Sequence, residues 1–160
     1  MLNIKIIATG DVKENYLRDA IKEYQKRLSA WCKIEEIILK EEKIPENPTQ
    51  AQIDKALDCE KKKILEKISS KAYIIAMCIE GKQLSSEELA AKFNEIANLG
   101  KSEIVFIIGS SYGLSKEIKD LADLKLSFSK LTFPHQLLRV ILHEAIYRSL
   151  SINNGTKYHK

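Results

Sequence analysis

The chain has 160 residues, of which 44% are hydrophobic and 30% are charged, and its net charge is +4. This composition is typical of a single globular domain, residues 1–160, and excludes an intrinsically disordered chain. No apolar run approaches the roughly 20 residues of a membrane-spanning helix, and the amino terminus lacks the pattern of a signal peptide, so we expect a cytoplasmic protein.

Apolar runs and helical patterns alternate along the chain. We predict strands at 2–9, 34–39, 72–79, 104–108 and around 126, and helices at 16–28, 51–68, 86–98, 116–121 and 134–151. The residues Glu80, Gly81 and Lys82 are expected to end the third strand, and Ser85 and Ser115 to cap the helices that follow them. This alternation predicts a parallel α/β sheet. Ligands of such sheets bind beyond the carboxyl ends of the strands.

One stretch, residues 126–139, combines several features of a binding site. A strand leads into a polar loop, and Pro134 suits the first position of a helix because it has no N–H to satisfy there. His135 and Gln136 then lie in the first turn, and Arg139 follows one turn later on the same face as His135. A helix amino terminus with these side chains favours an anionic or polar ligand.

The predicted last helix carries apolar residues on more than one stripe. Such a helix is buried on two sides. One side can face the sheet, and we expect the other to face a second copy of the chain in a homodimer.

The excess of positive charge lies in the last part of the chain. From residue 126 onward a single acidic residue, Glu144, accompanies five basic ones: Lys130, Arg139, Arg148, Lys157 and Lys160. Clustered positive charge favours a polyanionic partner, nucleic acid first. A chance fluctuation over a short window is the alternative.

The sequence lacks the residue patterns that several kinds of chemistry require. The cysteines, Cys32, Cys59 and Cys78, are odd in number and have no C-x-x-C spacing, which argues against a disulfide framework or a zinc site. Gly109 and Gly113 match neither a Walker loop nor a dinucleotide fingerprint. No metal-ligand cluster or activated nucleophile is visible. A reaction that depends on positioning and one proton transfer is therefore favoured.

Four segments of this sequence resemble the RlmH family, the pseudouridine N3-methyltransferases of large-subunit ribosomal RNA within the SPOUT superfamily. They are LSFSKLTFPHQLLR at 126–139, IKIIATG at 4–10, FIIG at 106–109 with Gly113 and Leu114, and YHK at 158–160. The resemblance implies a deep C-terminal trefoil knot, although threaded chains are rare among folds. It also implies S-adenosylmethionine as cofactor and 23S ribosomal RNA of the assembled ribosome as substrate.

The resemblance also implies a cofactor site. Its contacts correspond to Met77, Gly109, Phe128, Ser129, Lys130, Leu131, Thr132 and Phe133. A glycine at 109 would let the backbone approach the ligand closely, whereas Met77 and Phe133 could equally be core residues. Ser110 stands where the family usually has a glycine, which predicts a narrower pocket or an altered turn.

The expected catalytic residues are His135, Arg139, Tyr158 and His159. His135 would act as a base or make a helix-start hydrogen bond, and Arg139 would stabilise a phosphate or uracil oxyanion or pair with an acidic neighbour such as Glu144. Tyr158 would stack on the target base, with the tail reaching the site within the chain or across the dimer. The family commonly has arginine where Lys160 stands, and lysine lacks the bidentate fork.

Two rival functions remain open from the sequence. Within the same class, the substrate could be tRNA or another ribosomal RNA site. In a different class, the chain could be a flavodoxin-like nucleotide-binding protein or a non-catalytic RNA-binding module. Binding of S-adenosylmethionine separates the enzyme from a pure binding module.

Overall fold

The computed structural model describes residues 1–160 and contains one sheet flanked by helices. The elements in chain order are β1 Leu2–Thr9, α1 Asn15–Leu28, β2 Cys32–Leu39, α2 Gln50–Leu65, β3 Tyr73–Gln83, α3 Ser86–Asn98, β4 Glu103–Ile108, α4 Lys116–Leu121, β5 Leu124–Ser127 and α5 His135–Asn153. None of these helices is both long and apolar enough to cross a membrane.

The five strands are all parallel and lie in the order β2-β1-β4-β3-β5. This arrangement confirms the predicted parallel α/β sheet. It also brings the ends of β3, β4 and β5 side by side, so the three loops that follow these strands share one edge of the sheet. The trefoil knot implied by the resemblance stays a prediction.

Helices cover both faces of the sheet, which makes three layers. On one face Ile6 and Phe106 belong to the core that α3 and α5 complete, and on the other Ile7 and Ile107 pack with residues of α2 and α4. Strands that are buried on both faces need apolar residues at successive positions rather than at every second one. For this reason β4 could be recognised from its continuous apolar run from Ile104 to Ile108.

The third strand is longer than its sequence predicts. Glu80, Gly81 and Lys82 do not end β3, which runs on to Gln83 with a shift of register between Met77 and Lys82. A Cβ at Gly81 would lie 2.7 Å from the backbone carbon of Leu126. The glycine therefore lets β3 approach β5 closely, and the prediction of a strand end was wrong.

The predicted helix caps are confirmed, with one change. Ser85 and Glu88 form a reciprocal capping box, and the Ser115 hydroxyl accepts a hydrogen bond from the Ile118 N–H. Pro134 is the N-cap of α5 rather than its first helical residue, because its ψ of 137° is extended and the helix begins at His135.

The last helix is buried on two sides within a single chain. Leu142 and Ile146 belong to the main core against the sheet, while Val140 packs against Leu17 and Ile21 of α1. A second subunit is therefore not needed to cover the second apolar stripe, and that reason for a homodimer was wrong. The homodimer itself stays a prediction.

Candidate active site

A pocket of about 340 Å³ opens beyond the ends of β4 and β5 and beside the register shift of β3. Its walls combine Met77–Glu80 of β3, the loop from Ile108 to Leu114, and the segment from Leu126 to Phe133, with Lys119, His135 and Leu138 completing them. We call this cavity the main pocket. The volume lies within the range of roughly 300–1,000 Å³ that small-molecule sites occupy.

The loop after β4 folds tightly upon itself beside the main pocket. The Gly113 N–H donates to the Ser110 carbonyl at 2.8 Å, and Gly113 has a φ of +81°. A Cβ at Gly109 would lie only 2.3 Å from the Gly113 carbonyl oxygen. The structure requires a glycine here so that the loop can close. The close approach of its backbone to a ligand stays a prediction.

The loop after β5 is held by two internal hydrogen bonds. The Ser127 hydroxyl donates to the Ser129 carbonyl at 3.0 Å, and the Ser129 hydroxyl accepts from the Leu131 N–H at 2.9 Å. Of the expected cofactor residues Met77, Gly109, Phe128, Ser129, Leu131, Thr132 and Phe133 line the main pocket. Lys130 is exposed and does not line it.

Ser110 adopts an ordinary backbone conformation, with no positive φ, in the place where a second glycine was expected. Its side chain is buried and lies near the Glu60 carboxyl of α2. Burial raises the pKa of Glu60, and the Ser110 hydroxyl partly offsets this. The two groups nevertheless make no hydrogen bond of good geometry, so the Ser110 oxygen remains without a partner.

A second cavity, of about 190 Å³, adjoins the main pocket at the ends of β1 and β4. We call it the polar cleft, and its lining residues are Thr9, Gly10, Asp11, Lys13, Glu41, Ile108, Ser110, Ser111, His135, Gln136 and Arg139. His135 borders both cavities. This position, at the boundary between two cavities, is compatible with the proton-accepting role expected of it.

Arg139 is buried and paired. Its guanidinium forms an ion pair with Glu36 of β2 and donates to the Gly10 carbonyl at 2.9 Å. Burial lowers the pKa of Arg139, but an arginine remains charged. Glu144, considered as the partner from sequence, pairs instead with Arg148. Arg139 therefore ties the loop after β1 to α5.

The C-terminal tail lies away from both cavities of its own chain. The Tyr158 hydroxyl donates to Glu144 at 3.2 Å, and the Tyr158 ring lies under the Arg148 guanidinium. His159 contacts Arg148 and Glu87. Glu144 and Arg148 follow His135 by 9 and 13 residues on one helix, which is about 14 and 20 Å along the helix axis. A single chain thus does not bring Tyr158 and His159 to the pocket.

A family model described as "Predicted SPOUT methyltransferase" matches residues 2–159 of this chain. The chain belongs to the SPOUT methyltransferase family. The family match agrees with the parallel α/β sheet and with the resemblance seen in the sequence.

Whole-length relatives of this SPOUT methyltransferase carry more specific names. The chain is 52% identical to the ribosomal RNA large subunit methyltransferase H of Clostridioides difficile (strain 630). It is 50% identical to the proteins of the same name from Leuconostoc mesenteroides and Bacillus thuringiensis. Each similarity spans 159 residues, which is 99% of this chain and 100% of the relative.

The residues of this SPOUT methyltransferase fit a bound nucleoside. Ile108, Leu114, Leu126 and Leu138 supply apolar walls in the main pocket, and the loops after β4 and β5 supply backbone polar groups. Apolar walls with a few polar groups suit an adenine ring.

Sequence reasoning missed part of the wall of the SPOUT methyltransferase pocket. Cys78 and Ile79, which were expected only as strand residues, line it, and so does Glu80, because β3 continues past its expected end. Lys119 of α4 pairs with Glu80 across the rim and lowers the pKa of that carboxyl. Of the polar cleft, His135, Gln136 and Arg139 were expected to belong to a binding site, but the residues at and after the end of β1 were missed because they are distant in the chain.

Proposed function

We propose that this protein transfers a methyl group from S-adenosylmethionine to N3 of a pseudouridine in 23S ribosomal RNA of the assembled ribosome. The observation that carries the proposal is the identity of 50–52%, over essentially the whole chain, with relatives named ribosomal RNA large subunit methyltransferase H. The main pocket, beyond the carboxyl ends of the neighbouring strands β4 and β5 and beside β3, supports it, because that is where a parallel sheet binds ligands.

In this proposal the main pocket holds the cofactor. S-adenosylmethionine, when bound, supplies a methyl group that is already activated on a sulfonium centre. Met77, Leu131 and Phe133 contribute apolar contacts, and the backbone of Gly109 and Thr132 contributes polar ones. The protein must then exclude water and align the acceptor, a contribution that can lower a barrier by roughly 7–11 kcal/mol.

The acceptor nitrogen must lose a proton before or during transfer. We assign proton acceptance to His135, since it borders both cavities. Arg139 holds the loop at Gly10 next to the acceptor side. Tyr158 and His159 would act on the substrate from a partner subunit, because their own chain keeps them at the far end of α5.

We further propose a homodimer that works on ribosomes in the cytoplasm. Large apolar side chains are exposed around the main pocket, with Leu131 71% exposed and Ile79 and Tyr112 also open to solvent. Exposed apolar groups of this kind mark contact surfaces. The free positive charges near the end of the chain, Lys130, Lys157 and Lys160, support a contact with RNA.

Methyl transfer from labelled S-adenosylmethionine tests the proposal. Intact ribosomes, free large subunits and tRNA from cells lacking the gene are offered separately. We expect label in the large-subunit RNA of intact ribosomes, mapping to a pseudouridine. Label in tRNA would show that the substrate is tRNA and not ribosomal RNA, but it would leave the proposed enzyme class unchanged. A protein that shows no heat of binding with S-adenosylmethionine would be a binding module and would refute the proposal.

A further inference from the structure

The polar cleft shares a wall with the main pocket. Ile108, Ser110, Ser111 and His135 line both cavities. Ile108 is also the single apolar residue among the eleven that line the cleft. A ligand in the cleft would therefore lie directly beside a ligand in the main pocket, and it would be held by hydrogen bonds rather than by apolar contact.

Polar atoms without partners are concentrated at this cleft. Five buried side-chain nitrogen or oxygen atoms in the protein lack a hydrogen-bond partner, and three of them are Thr9 Oγ1, Ser110 Oγ and Arg139 Nε. All three residues line the cleft, and each is more than nine-tenths buried, with 7%, 3% and 4% of its surface exposed. Buried polar groups are nearly always paired. The other two atoms are carboxylate oxygens of Glu36 and Glu60, which lie beside Arg139 and Ser110 respectively. Thr9 Oγ1 is left without a partner of this kind, and a ligand in the cleft would supply one.

The charges around the cleft balance. Two basic side chains, Lys13 and Arg139, face two acidic ones, Asp11 and Glu41. Arg139 is already paired with Glu36, and Asp11 with Arg18, so Lys13 and Glu41 remain as one charge of each sign. A phosphate would find little net attraction here, so the balance favours a neutral ligand with several hydrogen-bonding edges.

We propose that the polar cleft is the acceptor-base subsite, where Thr9, Ser110 and Gln136 bind the edge of an unstacked uracil-type base. The inference rests on the proposed function. A uracil-type ring is neutral and presents two carbonyl acceptors on either side of an imide N–H. Enzymes that modify a base take it out of the stack and bind that edge in a pocket.

The side chains of the cleft match this pattern of donors and acceptors. The Gln136 Oε1 accepts a hydrogen bond from the Lys13 N–H at 2.8 Å, which leaves the Gln136 amide NH2 to donate to a base carbonyl. The Thr9 and Ser110 hydroxyls can each donate or accept. The imide nitrogen between the two carbonyls would then face the shared wall, where His135 can take its proton.

Two substitutions in the cleft test the subsite. Thr9→Val removes one hydroxyl at nearly constant volume. Gln136→Glu keeps the acceptor for the Lys13 N–H but loses the donors. Neither residue lines the main pocket. We expect each variant to lower kcat/KM for the acceptor RNA by about tenfold or more, corresponding to the loss of one or two hydrogen bonds. The dissociation constant of S-adenosylmethionine should stay within about twofold of the wild type.

Ser149→Ala is the matched control, because it removes a buried hydroxyl that bonds to the Ala145 carbonyl and touches neither cavity. This variant should leave unchanged both kcat/KM for the acceptor RNA and the dissociation constant of S-adenosylmethionine. Methyl transfer at the wild-type rate in both cleft variants would refute the subsite but not the proposed function. A tenfold loss of cofactor binding in Gln136→Glu, together with normal acceptor kinetics, would also refute only the subsite. A wild-type protein that binds the cofactor but methylates no RNA would refute the proposed function, and the subsite with it.

Discussion

His143 lies on the buried face of α5 and has no exposed surface. Its Nδ1 donates to the Arg139 carbonyl at 2.7 Å, and its Nε2 lies 3.3 Å from the Gln25 amide nitrogen. Burial lowers the pKa of His143 to about 4, although the hydrogen bond to the Arg139 carbonyl opposes the shift. The Glu36 carboxylate, 3.5 Å away, does not restore the charge, because it is shared with the Arg139 guanidinium. The folded protein thus holds a neutral imidazole.

This histidine should make stability depend on pH. The unfolded chain binds a proton near the ordinary pKa of 6.5, whereas the folded chain does so only near 4. The unfolded state therefore binds more protons between these values, and the free energy of unfolding falls as the pH drops through them, by up to about 3 kcal/mol. Urea unfolding at pH 7 and pH 4.5 should show a smaller loss in His143→Gln than in wild type. An equal loss in both proteins would show that another group titrates.

Gly109 is the second single residue with a large predicted effect. An alanine there would put its Cβ 2.3 Å from the Gly113 carbonyl oxygen, so the loop after β4 would have to open. We expect Gly109→Ala to weaken S-adenosylmethionine binding by about tenfold or more, equivalent to about 1.4 kcal/mol, measured by calorimetry. Gly100→Ala is the control, because Gly100 has a φ of +74° and no neighbour that a Cβ would meet. Gly100→Ala should lower the melting temperature but keep the affinity for S-adenosylmethionine. An equal loss of affinity in both variants would show that the closed loop after β4 is not the cause.

At the scale of elements, the sequence predicts what local patterns determine. Ile104–Ile108 could be recognised as a buried strand because it is apolar throughout, and Ser85 with Glu88 marks a helix start. The extension of β3 could not be recognised, because Gly81 in the sequence predicts the end of a strand. Its contact with Leu126 of β5 is formed only in the folded sheet. The fold class followed from local signals, whereas this strand end depends on a contact made only in the folded sheet.

The same distinction applies to the elements that form the site. Met77, Gly109 and the loop after β5 were identified through a resemblance in their sequence, and each segment is continuous in the chain. The polar cleft instead joins Thr9 at the end of β1 to Gln136 at the start of α5, held together by the bond from Arg139 to the Gly10 carbonyl. No local pattern connects these residues. The sequence left Arg139 as either a ligand contact or one half of an ion pair, and its partner, Glu36 of β2, lies too far away in the chain to be recognised.

At the scale of the whole molecule, the proposed homodimer depends on surface that α1 and α3 leave uncovered. Leu137 in the first turn of α5 is 39% exposed and lines neither cavity. A charge there should break an apolar contact between subunits. We expect light scattering at micromolar concentration to give a dimer for wild type and a monomer for Leu137→Glu. Leu99→Glu, an exposed leucine after α3, should remain dimeric. A wild-type monomer would refute the proposed dimer.

Because the tail lies away from the main pocket of its own chain, we predict that Tyr158 and His159 act only in the assembled dimer. Tyr158→Phe and His159→Ala should lower turnover and leave the affinity for S-adenosylmethionine nearly unchanged, because neither residue lines the main pocket. The tail lies at the far end of α5 from His135, so its effect would have to come through the partner subunit. Calorimetry and methyl transfer on ribosomes measure the two quantities, and a large loss of cofactor affinity would contradict a role on the substrate side.

Mixed dimers decide whether the tail crosses between subunits. If each active site combines His135 of one chain with His159 of the other, a dimer of one His135→Ala and one His159→Ala chain has one site with both changes and one with neither. Random mixing makes about half of the dimers mixed, so activity should recover to about a quarter of wild type. If the tail served its own chain, every site would carry one change and mixing would restore nothing. Mixing either variant with itself is the control.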